Sequence, residues 1–190
     1  VEMGQGHRDR EWEKTILDRF HFDFVIGSVH KMDNVDMGKM AFADEEEKLR
    51  ITDQYLDYLW ELVDTCDFDS LGHIDLVKRY AANHGLKVDL MDYPDRLRAI
   101  LKRLAERGLA LEINTSGIRQ SPKEALPSVA ILKMFKEVGG RYLTVGSDAH
   151  FAKDVAADFE TARQMALEAG FRHIALYEDR KPILVPIDEE

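Results

Sequence analysis

Apolar and polar positions along this chain follow two periods in turn. Short apolar, β-branched runs, each closed by a glycine or a polar residue, predict strands at residues 24–29, 70–74, 109–113, 143–146 and 173–177. The stretches between them carry apolar residues at helical spacing. A helix is predicted at 10–20, with Trp12, Ile16, Leu17 and Phe20 on its inner side. A longer one runs from Asp44 to about Thr65 with Tyr55, Leu59, Leu62 and Cys66 in register, and others at 95–107, 127–138 and 155–169. Their ends carry matching signals. Asp44 with Glu45, Glu46 and Glu47 puts acid at a positive helix end, Pro94 suits a first turn, and Gly108 suits a left-handed cap. Residues 31–40 and 78–93 read as loops, residues 182–187 as one more extended segment, and Val1–Gly4 as the end of a further strand.

Strands alternating with helices imply a parallel α/β sheet or barrel. No Gly-x-Gly-x-x-Gly follows a strand, so a dinucleotide-binding fold loses its main support. The strand ends point elsewhere. Gly146-Ser-Asp148-Ala-His150 closes one strand with a carboxylate and an imidazole two residues apart, which project to one side. His30 closes another, His73 and Asp75 a third, and Glu112 and Asn114 lie on a fourth, while Glu2 sits on the opening segment. Chemistry at the end of nearly every strand fits a barrel, whose ligands gather at the strands' carboxyl ends. Imidazole and carboxylate without thiolate is the composition of a metal site.

Composition narrows the setting. A length of 190 residues allows one domain with a real core, and 45% hydrophobic with 33% charged residues is ordinary for a water-soluble protein. The single cysteine, Cys66, excludes an intramolecular disulfide and suggests a reducing, cytoplasmic setting. No apolar run is long enough to cross a membrane. A formal net charge of −10 argues against nucleic-acid partners, and any phosphate site must rely on local cations.

Taken in order, Val-Glu2-Met-Gly-Gln, Ile-Gly-Ser-Val-His30, Leu-Gly-His73-Ile-Asp75, Glu112-Ile-Asn-Thr-Ser-Gly-Ile-Arg119 and Gly-Ser-Asp148-Ala-His150 resemble successive motifs of the PHP family. They are most similar to its histidinol-phosphate phosphatases, and the resemblance runs from residue 1 to about residue 178. It implies a single domain over 1–190, folded as a distorted seven-stranded β/α barrel with two to three divalent ions, Zn, Mn or Fe, at the strands' carboxyl ends. It also implies the hydrolysis of L-histidinol phosphate to L-histidinol and phosphate, a step of histidine biosynthesis. By the same resemblance Glu2 bridges two metals, His30 and His73 bind the second, Asp148 completes the first, His150 binds the third, and Arg119 meets the substrate phosphate. The family opens with a His-x-His pair ahead of the bridging glutamate. This sequence starts at Val1, so the barrel is expected to be incomplete at its amino-terminal end.

The chemistry asks for these residue types independently. Phosphomonoester hydrolysis needs an activated water and neutralised phosphoryl charge, which divalent ions supply. Arg119 would grip phosphate with a planar fork, and Asp148 or His150 would help the leaving oxygen. Each residue also has a plainer role. His73 suits a core histidine, Asp75 suits a partner for a ligating imidazole or a helix cap, Glu112 suits a buried ion pair, and Arg119 suits a surface arginine. His7, near the rim, is a candidate substrate contact, and the Met32, Met37 and Met40 cluster is loop packing. Two alternatives stand beside the phosphatase: a PHP phosphoesterase for nucleotides or other small esters, and a catalytically incomplete fragment acting as an interaction domain. In the last, the unpaired strand edges of an incomplete barrel would invite a second copy of the chain.

Overall fold

The computed structural model describes residues 1–187. Five parallel strands form one sheet in the order β1 (Glu2–Gly4), β2 (Ile26–Ser28), β5 (Ser70–Leu71), β6 (Ala110–Asn114) and β7 (Leu143–Gly146). Between β2 and β5 the chain forms a small antiparallel hairpin, β3 (Lys31–Met32) with β4 (Val35–Asp36). A second hairpin, β8 (His173–Glu178) with β9 (Lys181–Pro186), ends the described chain. The helices are α1 (Arg10–Arg19), α2 (Glu45–Thr65), α3 (Val77–Asn83), α4 (Pro94–Glu106), the short α5 (Ser116–Arg119), α6 (Val129–Glu137) and α7 (Phe159–Glu168). One continuous apolar core joins the sheet to α2, α4 and α6. Every residue of β6 is buried, as expected of a central parallel strand covered on both faces.

The helix signals work as their chemistry requires. Asp44 Oδ1 accepts the Glu47 N–H at 2.9 Å, and Ile51, Tyr55, Leu59 and Leu62 of α2 all face inward. Gly108 ends α4 at φ +69. In α1 the expected face is rotated. Trp12 and Phe20 are 53% and 50% exposed, while Glu13 is buried. The Glu13 carboxylate accepts the Asp67 N–H at 3.0 Å and pairs with Arg10, so an acid turns inward with Ile16 and Leu17 beside it. Residues 77–83 form α3, not loop. Lys78 on its inner face hides the apolar period, because the ammonium is buried in an ion pair 2.9 Å from Asp75.

A seven-stranded barrel is not what the described residues form. The sheet is open, with β1 and β7 as its edges, and the segment expected as a further parallel strand, 173–177, pairs antiparallel with β9 instead. The cause is local. Asp179 and Arg180, both at positive φ (+49 and +61), make a two-residue turn of the kind that joins antiparallel strands, and two residues cannot make a parallel crossover. Arg180 holds this turn against the sheet, 2.8 Å from Asp67 Oδ1 and 3.1 Å from both Asp69 oxygens.

Candidate metal centre

Parallel order brings the strand ends to one rim. His30 lies two residues past β2, His73 two past β5 and Asp148 two past β7, while Glu2 projects from β1 itself. Glu2 Oε1 is 3.2 Å from His30 Nε2 and 3.2 Å from His73 Nε2, and the two imidazole nitrogens are 3.3 Å apart. A tetrahedral zinc ion with ligands at about 2.0–2.1 Å requires donors roughly 3.3–3.4 Å from one another. The triangle has that size, so these three residues fit a divalent ion. Among the described residues no fourth His, Cys, Asp or Glu joins the trio within 4.8 Å.

Electrostatics agree with the geometry. Burial opposes ionisation of Glu2, but hydrogen bonds to His30 and His73 outweigh it and hold its carboxyl far below the usual range. Burial lowers the His73 imidazole, yet Glu2 and Glu112 more than reverse this and raise it. His73 is held at φ +24, a conformation side chains rarely adopt, and its N–H donates to Glu112 Oε2 at 2.8 Å. Glu112 is buried, and desolvation raises its carboxyl despite that bond and a second from Asn114 Nδ2 at 3.1 Å. Glu112 therefore stands behind His73 as its backbone anchor. Asp75 does not: its carboxylate pairs with Lys78.

Asp148 and His150 sit together at the end of β7, apart from the trio. Asp148 also has a left-handed backbone, φ +47, and His150 Nδ1 lies 3.0 Å from the Asp148 carbonyl on a largely exposed ring. Two arginines converge here. Arg119 donates from Nη2 to the carbonyls of Ser147 and Asp148 and has Nε 3.7 Å from Asp154. Arg79 donates from Nη2 to Ser116 Oγ at 2.6 Å and lies 3.4 Å from Asp148 Oδ2. Arg119 Nη1 and Arg79 Nε are buried donors with no hydrogen-bond partner. Sequence reasoning missed Arg79 because it read 78–93 as loop. The usable signal was an arginine one helical turn beyond the His73-Ile-Asp75 segment.

The other candidates lie elsewhere. His7 is buried edge-on to Tyr58, ring centroids 5.1 Å apart, with neither ring nitrogen hydrogen-bonded. Met32 and Met37, expected as loop packing, are buried in the core, and Met40 packs against it. His21, Asp23 and Asp179 gather at the β8–β9 turn, but all three are exposed and His21 already pairs with Asp179 at 3.0 Å. A mostly apolar cleft of about 720 Å³ opens between β7 and β8, lined by Phe24, Val145, Ile174, Tyr177 and Val185 and by the Glu160–Arg163 ion pair.

An open parallel sheet with a carboxylate–imidazole cage and two arginines at its carboxyl rim places the chain in the class of metal-site α/β proteins. More narrowly, the chain belongs to the PHP family: the sequence model of the PHP domain matches residues 1–116. It is 33% identical over 168 residues to "Probable histidinol-phosphatase" of Clostridium acetobutylicum, covering 87% of this chain and 65% of that protein. It is 31% identical over 183 residues to histidinol-phosphatase of Lactococcus lactis subsp. lactis, covering 95% of this chain and 68% of that protein. The chain thus spans about two thirds of the length of these relatives. Its structure resembles the crystal structure of the Lactococcus lactis histidinol phosphate phosphatase complexed with zinc, L-histidinol and phosphate. The TM-score is 0.81 at 28% identity, over 96% of this chain and 70% of that one.

Proposed function

We propose that this chain carries the metal and phosphate sites of a metal-dependent phosphomonoesterase that hydrolyses L-histidinol phosphate to L-histidinol and phosphate. The observation that carries the reading is the Glu2–His30–His73 triangle, with sides of 3.2–3.3 Å, at the same rim as two arginines with unpaired donors. Glu2, His30 and His73 would hold the ion, and Asp148 and His150 complete the site in the whole protein. A bound divalent ion supplies Lewis-acid polarisation of water and phosphate. The chain's own groups do the rest. Arg119 and Arg79 bind and orient the phosphate oxygens with planar guanidinium forks and spread its charge. Asp148, held by Arg79 and Ser116, moves the proton of the attacking water towards the leaving alcohol oxygen. The relatives named histidinol-phosphatase and the neighbour bound to L-histidinol and phosphate support this substrate. In the same reading, the seven-stranded barrel belongs to the whole protein and its setting is the cytoplasm.

The test compares release of phosphate from L-histidinol phosphate, nucleoside monophosphates and single-stranded DNA, with metal content measured on the same preparation. Turnover of histidinol phosphate alone is expected. Nucleotide turnover without histidinol phosphate would move the reading to a nucleotide phosphoesterase. Metal binding without any turnover would leave this chain a fragment that holds the fold.

A further inference from the structure

His30 stands past the end of the sheet, and one side chain extends the sheet to reach it. The β1–β2 ladder closes with Gly4 opposite Ser28, and the Gln5 N–H then donates to the Ser28 carbonyl at 3.0 Å. The main chain turns away at Gln5, whose φ is +69, so β1 offers His30 and Lys31 no peptide group to pair with. The Gln5 side chain supplies one. Its Oε1 accepts the His30 N–H at 2.5 Å and the Lys31 N–H at 3.0 Å, and its Nε2 donates to the Lys31 carbonyl at 2.7 Å. A primary amide thus takes the place of a peptide group and carries the ladder one step further. On the other side, the His30 carbonyl accepts the N–H of buried Met37 at 2.9 Å. The ring itself is held less firmly. Its Nε2 meets Glu2 and His73, but its Nδ1 has no hydrogen-bond partner among the described residues and lies over Gly4, where an added Cβ would stand 3.1 Å away. A metal-binding imidazole is ordinarily oriented through its second ring nitrogen. His30 lacks that hold, so its orientation comes from its backbone.

We propose that Gln5 is the positioning residue for His30: its amide fixes where the imidazole stands against Glu2 and His73, and thereby the affinity and coordination of the ion they hold. This inference rests on the metal centre of the reading above and not on its substrate. Such a constellation works only while its groups stay within about 0.5 Å of the productive arrangement. The 3.2–3.3 Å separations of Glu2, His30 and His73 already match the donor spacing of zinc, so drift of the backbone at 29–31 spoils a fit that is in place beforehand. His73 has its counterpart in Glu112, which takes the His73 N–H. Each imidazole of the trio therefore hangs from a side chain that accepts its own backbone N–H. Gln5 does so without adding negative charge to the cage.

Gln5→Gly and Gln5→Asn separate this role from that of the turn. Both residues take a positive φ more readily than glutamine, so the turn survives in each, whereas glycine has no amide and that of asparagine is one methylene short. The metal-free variants are expected to keep the wild-type urea midpoint. Zinc affinity, read by competition with a chelating dye, is expected to fall roughly 10- to 100-fold in both. The visible bands of the cobalt-loaded chain, which follow coordination geometry, are expected to shift. These bands are read on the folded, loaded chain, so they report the position of His30 even where a variant loses stability. Wild-type bands or wild-type zinc affinity in the two variants overturn the inference and leave the metal centre in place. A wild type that binds neither zinc nor cobalt overturns the metal centre and the inference with it. A wild type that binds zinc but cleaves none of the phosphate esters above sinks the phosphatase reading and leaves the role of Gln5 standing.

Discussion

Gly146, the last residue of β7, connects packing to the metal centre and offers the sharpest test of the geometry. A Cβ placed there would stand 2.2 Å from Glu112 Oε1 and 3.2 Å from its carboxyl carbon. The φ of Gly146 is not positive, so Gly146→Ala strains no backbone and its whole effect is steric. Glu112 has no room to yield freely, because its other oxygen accepts both the His73 N–H at 2.8 Å and Asn114 Nδ2 at 3.1 Å. Moving it breaks one or both bonds to a buried carboxylate, each worth about 1.5–3 kcal/mol. Keeping it in place forces an overpacked contact that costs about 1–3 kcal/mol. The chain takes the cheaper route, so the expected loss of stability is about 1–3 kcal/mol, read from urea unfolding of wild type and variant without metal. The same change releases the backbone tether of His73, so zinc affinity, measured by competition with a chelating dye, should fall as well. A variant that loses less than about 1 kcal/mol and binds zinc as the wild type does would refute the placement of Glu112 against β7. Gly146→Ala combined with Glu112→Gln separates the contributions: the clash remains, but the buried charge is gone, so the double change should cost less than the sum.

Four further outcomes are expected. Glu2→Gln removes the only anionic member of the trio, and zinc affinity should fall by more than the roughly 10- to 100-fold that loss of an outer partner brings; an unchanged affinity would disprove the site. Because Glu2 and Glu112 raise the His73 imidazole, protons should compete with zinc from above the ordinary histidine value of about 6.5, and metal content should drop on acidification through that range. Arg79→Met should weaken inorganic phosphate binding to the zinc-loaded chain about tenfold or more, with zinc affinity kept, whereas equal binding would leave Arg79 as a structural partner of Asp148 only. Finally, burial and then Arg8 lower His7 to about 4, so the folded state binds its proton less readily than the unfolded chain does. The stability this gives is full above about pH 6.5 and disappears as pH falls towards 4, a span worth about 3 kcal/mol. His7→Leu should flatten the urea midpoint between pH 6.5 and pH 4.5, and a variant with wild-type slope would place the acid sensitivity elsewhere.

The elements legible in the sequence were those whose signal is local. Asp44 before three glutamates, Pro94 at a first turn and Gly108 after α4 each act through neighbouring backbone groups, and each stands where its chemistry requires. What local pattern cannot encode is which polar residue has a distant partner. Glu13 faces inward because the Asp67 N–H, far along the chain, meets it there, and Lys78 because Glu124 joins the nearby Asp75 around its ammonium, so the apolar period misled the reading of α1 and hid α3. The β8–β9 hairpin escaped for a related reason. Asp-Arg is not a common positive-φ pair, and its turn is held from outside by Asp67 and Asp69, far back in the chain.

The candidate site shows the same division on a smaller scale. His30 and His73 were readable because a strand end followed by an imidazole is a one-dimensional signal, Glu2 only through the resemblance of its segment to the family's motif, and parallel order then carries all three to one rim. Arg79 was not readable, because it reaches the rim across a helical turn and identifies itself only through Ser116 and Asp148. This difference matters for a chain of net charge −10, whose overall field repels a phosphate once it comes within about a Debye length, where local cations must outweigh it. The negative residues at the rim, Glu2 and Glu112, face the cation cage, whereas the positive ones, Arg79 and Arg119, meet at the end of β7. Attraction for an anion is thus confined to one side of Asp148 and attraction for a cation to the other.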